Sequence, residues 1–75
     1  MTSDDLIDRF LAALLREIGG SRRTWRNVLG PVKRYSVDTH AHCNWSITPR
    51  GSPGEIAAVE RIADRLRLEY PIVTE

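Results

Sequence analysis

Leu6, Ile7, Phe10, Leu11, Leu14, Leu15 and Ile18 recur at spacings of one, three and four. On a helix that spacing gathers seven large apolar side chains into one broad stripe. The whole chain has only 75 residues. A chain this short buries about 60–65% of the surface its unfolded form exposes. Its core seldom supplies more than about 3–5 kcal/mol. So wide a stripe must therefore be covered by a sheet face, and a second protomer is the natural further cover. The single cysteine, Cys43, cannot close an internal disulfide, and no complete metal cage is visible. By elimination the expected added support is self-association as a homodimer.

The stripe predicts a helix over about 4–18. Thr2 or Ser3 can cap it by accepting an exposed backbone N–H. Asp4, Asp5 and Asp8 suit the positive end of the helix dipole, and Gly19-Gly20 can end it in the left-handed region. A second helix is predicted over about 53–69. Ser52 caps it, Pro53 fits its first position, and Glu55 completes a capping box three residues after Ser52. Ile56, Val59, Ile62, Ala63 and Leu66 form its apolar stripe. It must stop before Pro71, because a residue preceding proline is pushed out of the helical region. "PIVTE" then folds back as an extended tail.

Between the helices the period changes to two. Tyr35, Val37, Thr39, Ala41, Cys43, Trp45 and Ile47 alternate with polar residues that include Asn44, which predicts an inner and an outer face on extended chain. "DTHAH" is the turn that divides this run. Strands are predicted over about 32–37 and 43–48, with a third at about 24–29 in "TWRNVL". The expected fold class is α+β: a small α-β-β(-β)-α domain, residues 1–75 as one unit, with an antiparallel two- or three-stranded sheet and both helices packed on one face. The predicted core is Leu6, Phe10, Leu14, Ile18, Val37, Cys43, Trp45, Ile47, Ile56, Val59, Ile62 and Leu66.

Net charge is +1, which excludes a generic, highly basic nucleic-acid binder. The distribution is uneven. Residues 16–34 carry Arg16, Arg22, Arg23, Arg26, Lys33 and Arg34 against Glu17 alone, which is reason to look for an anionic partner. Asp8, Arg9, Arg16 and Glu17 interrupt the apolar N-terminal run, so it reads neither as a secretory segment nor as a membrane span. With its lone cysteine the chain is expected in the reducing cytoplasm, away from membranes.

Three constellations carry possible chemistry. His40 and His42 would share one side of a strand, with Asp38 and Asn44 beside them. That makes two imidazoles and a carboxylate at best, against the four ligands of a structural zinc site. Cys43 would point to the other side, out of reach of His42 as a base. No Gly-rich phosphate loop is present, and no cofactor is expected. Arg22, Arg23, Trp25, Arg26, Lys33 and Arg34 place cations beside an aromatic ring, the means by which a protein grips phosphates and stacks on an unpaired base. The element order and the run "GPVKRYSV" are similar to the double-stranded-RNA-binding domain, whose second strand opens on Gly-Pro. That family holds phosphates with lysines at the start of its last helix. The matching positions here, around Gly54 to Ala58, include Glu55, so the resemblance does not carry the binding residues over. The reading that accounts for most of the chain is a non-enzymatic interaction or regulatory module acting through protein contacts. Its partner is itself or another protein, and pairing of sheet edges across a two-fold is one way to join two copies.

Overall fold

Thr2 opens the first element. Its hydroxyl accepts the Asp5 N–H while the Asp5 carboxylate accepts the Thr2 N–H, at 3.1 Å each. From this cap α1 runs over Ser3–Glu17. Gly19, at φ 95°, takes the conformation that stops it. The computed structural model describes residues 1–74. It continues with α2, Arg22–Leu29; β1, Lys33–Arg34; β2, Trp45–Ser46; and α3, Pro53–Glu69. β1 and β2 pair antiparallel, Lys33 opposite Ser46 and Arg34 opposite Trp45. The molecule is thus a small α+β fold of three helices and a two-stranded sheet, and the helices pack against one another.

The predicted third strand at 24–29 is instead the helix α2. Ser21 caps it by accepting the Thr24 N–H at 3.1 Å. Trp25, Val28 and Leu29 fall at i, i+3 and i+4, and all three are buried. That is helical spacing, and it outweighs the strand-forming character of Thr, Trp and Val taken singly. The other two strands are shorter than the predicted 32–37 and 43–48, with two residues each. Pro31 has no N–H for a ladder, and residues 37–39 form a turn and 41–42 a bend.

The core lies between the helices. Leu6, Phe10, Leu11 and Leu14 of α1 meet Val59, Ile62, Ala63 and Leu66 of α3, with Trp25, Val28 and Leu29 of α2. Trp45 joins them from β2: its ring stands edge-on to Phe10 at 5.7 Å between centroids, and its N–H donates to the Tyr70 carbonyl at 2.8 Å. Two predicted core residues are exposed, Ile18 and Val37, each at 47%. Ile18 lies beyond the last turn of α1, and Val37 lies in the turn where alternation has ceased. Cys43, Ile47 and Ile56 are half-buried.

Asn44 reverses its expected orientation and is buried at 1% exposure. The extended tail explains it. The Asn44 side chain donates to the Val73 carbonyl and accepts the Val73 N–H, both at 2.7 Å. Its backbone N–H donates to Pro71 O, and its own carbonyl accepts from Tyr35 N–H. Thr74 N–H then donates to the Met1 carbonyl at 2.9 Å. The tail therefore lies beside the start of β2 and binds both ends of the chain together. A buried amide satisfied in this way meets the requirement that burial imposes on polar groups.

Candidate functional site

Of the basic residues predicted to act together, α2 brings Arg22, Arg23 and Arg26 to one place. Positions 22, 23 and 26 share a helix face because three and four residues complete about one turn. They form one bank of a groove of about 530 Å³ whose other bank is Asp4 and Asp8 of α1 and whose floor is Ile7 and Leu11. Ile7 and Leu11 are themselves core residues, so the floor is the outer edge of the core. Arg22 reaches across and pairs with Asp8 at 2.6 Å. Among the described residues, Asp4, Arg23 and Arg26 have no ion-pair partner.

Trp25 is on the same helix but faces inward. It is 6% exposed, and its indole N–H donates to the Gly19 carbonyl at 2.7 Å. Its ring is not offered to a base. Lys33 and Arg34 are exposed on β1, away from the groove lining. The Lys33 ammonium sits 5.5 Å from the Tyr35 ring centroid, a cation–π contact. The predicted basic segment is thus divided between a helix bank and a strand.

His40 and His42 lie in the turn region, both exposed. The His40 ring stacks on Tyr35 at 4.3 Å between centroids, and its Nδ1 lies 2.9 Å from the Thr39 hydroxyl. Among the described residues, no group of three or more His, Cys, Asp or Glu side chains stands close enough to hold a metal ion. The Cys43 thiol donates to the Trp45 carbonyl at 3.6 Å, so its nearest partner is backbone.

The perturbed ionisable groups lie elsewhere. The Arg65 guanidinium donates to Glu17 and holds the Glu17 carboxyl below its usual value, while Arg65 itself is raised. The Thr2 backbone N–H does the same to Asp5. These are structural pairs, one joining α1 to α3 and one capping α1.

Sequence reasoning missed the acidic bank. Asp4 and Asp8 read as helix-dipole residues, and nothing local relates Asp8 to Arg22 fourteen positions on. The 25, 28, 29 spacing is the signal that could have revealed α2 and the groove with it. No helix among the described residues is long and apolar enough to cross a membrane. Comparison with protein-family models, with curated proteins and with solved structures finds no match.

Proposed function

We propose that this chain is a non-enzymatic interaction module that works through protein contacts as a homodimer. The observation that carries the reading is the groove between α1 and α2. Its floor, Ile7 and Leu11, is already nearly covered, so what the groove offers a partner is two exposed banks of charge. The opposite signs of its two banks suit a polypeptide, which offers both. A phosphate backbone would meet Asp4 as repulsion. In this reading residues 1–75 act as one unit, in the reducing cytoplasm where a lone thiol such as Cys43 persists. The helices α1 and α3 cover the same side of the hairpin. Support for that placement comes from Trp45, whose ring meets Phe10 of α1 and lies 5.2 Å from the Arg67 guanidinium of α3. Light scattering across a concentration series tests the proposal. The expected result is twice the chain mass at micromolar concentration, and a single-chain mass throughout overturns the homodimer.

A second reading, accessory nucleic-acid binding, has its own support. Arg23, Arg26, Lys33 and Arg34 find no acidic partner among the described residues, and unneutralised cations bind phosphates. Fluorescence anisotropy with short RNA and DNA separates the two readings. Phosphate contacts give an affinity that falls steeply as salt rises, and no binding at low salt removes this alternative.

A further inference from the structure

Resting on the homodimer reading, we infer that the banks of the groove between α1 and α2 meet those of the same groove in a second copy, with Asp4 of each chain facing Arg23 and Arg26 of the other. In a two-fold interface the same patch is used on both chains, so every contact occurs twice and the patch must complement itself. A patch of one sign cannot do this. The groove can, because its acids all stand on the α1 bank and its cations all stand on the α2 bank.

The charges also select the direction of the axis. A two-fold running across the groove would place acid on acid and cation on cation. A two-fold running along the groove turns each α1 bank onto the partner's α2 bank. Only the second arrangement is attractive. Arg22 and Asp8 already neutralise each other within the chain, which leaves Asp4, Arg23 and Arg26 for the contact. Asp4, Arg23 and Arg26 are all exposed. Two grooves that face each other meet at their banks, so Ile7, already at 8% exposure, loses little further surface. The apolar gain is small, so the association is electrostatic and weakens as salt rises. A dimer joined by sheet edges would not show that dependence. The edges offered here are only two residues long.

The test is a charge swap read by sedimentation equilibrium. Asp4→Lys places an ammonium opposite arginines in its own homodimer, and Arg23→Glu with Arg26→Glu places acids opposite Asp4. Each variant alone is expected to self-associate at least about tenfold more weakly than the native chain, as expected when like charges meet at an interface. An equimolar mixture is expected to recover dimer, because one half of the interface is then native and the other half is reversed but still attractive. Asp4→Asn, which puts no cation at a helix N-terminus, is expected to weaken association to a smaller extent. Circular dichroism of each variant checks that the fold is retained. Native-strength dimers from the single-charge-type variants, or no recovery on mixing, overturn this interface while leaving a homodimer through another face. A monomeric native chain overturns the homodimer itself. Monomers that bind oligonucleotides with steep salt dependence assign the arginines to nucleic acid and overturn the inference.

Discussion

Glu17 and Arg26 both stand exposed on helices, but in regions that handle charge differently. The frame made by α1 and α3 neutralises much of its own: Glu17 binds Arg65 across the two helices and lies 3.6 Å from Arg16, and Asp64 binds Arg67 one turn along α3. Both frame helices begin with reciprocal capping boxes. Among the described residues the middle, α2 through β2, makes one ion pair, from Arg22 to Asp8 of the frame. Its helix has a one-way cap, and its strands have two residues each. The two frame helices brace each other, whereas the middle depends on the frame and the tail for its place. Regions stabilised mainly by a few tertiary anchors open at lower free energy than the elements they lean on. Arg23, Arg26, Lys33 and Arg34, which find no acidic partner among the described residues, stand in this less self-sufficient half.

The strongest way to break this comparison is at the anchor. Trp45→Ala removes a 3% exposed ring from between Phe10 and Arg67, and the expected cost is about 3–5 kcal/mol. In a domain this small the cooperative thermal melt should disappear. An intact melt would show that the middle holds its place without Trp45.

Next comes Asn44→Ala, which leaves the Val73 N–H and carbonyl without their partner. Unsatisfied buried groups cost about 1–3 kcal/mol. Hydrogen exchange should show the Val73 amide losing protection first, with α1 and α3 little changed. Uniform loss across the frame would mean that the tail is part of the frame's own cooperative unit.

The caps sharpen the contrast further. Ser52→Ala and Ser21→Ala each remove a capping hydroxyl, at an expected cost of about 0.5–2 kcal/mol. Ser52→Ala should lower the global midpoint of a urea titration. Ser21→Ala should instead raise exchange within α2 more than it shifts that midpoint, because an eight-residue helix is marginal alone. Equal global shifts from both would make α2 as integral as α3.

The smallest effect is the acid limb. Glu17 is held below its usual value first by the Arg65 hydrogen bond, and Asp5 first by the Thr2 N–H. A carboxylate whose folded value is depressed stabilises the fold above its unfolded pKa, and loses that contribution as pH falls through the folded value. Thermal midpoints should therefore drop below about pH 4, the ordinary carboxylate range. Glu17→Gln should flatten that drop slightly, since exposed pairs contribute little. An unchanged slope would remove the Glu17–Arg65 pair from the frame's stability.

Much of this architecture was written locally. The two long helices, their boundaries near Pro53 and Glu69, the Ser52–Glu55 box and the inward ring of Trp45 follow from caps and spacing that each act within a few residues. The turn at "DTHAH" did too. The residues of the middle carried two competing periods. The alternation from Tyr35 onward favours a strand in "TWRNVL" as well, whereas Trp25, Val28 and Leu29 obey the helical period. His40 and His42 would share a side only on extended chain, and a turn occupies their place.

What remained belonged to contacts between distant positions. A polar residue in a strand is read as facing water, and Asn44 faces inward because Val73, twenty-nine residues later, supplies both halves of its amide pairing. Asp8 becomes one bank of a groove because Arg22 crosses from another helix. Backbone periodicity and capping are short-range, so one stretch of sequence determines them. A buried amide's partner and the opposite side of a groove exist only once the chain has closed on itself.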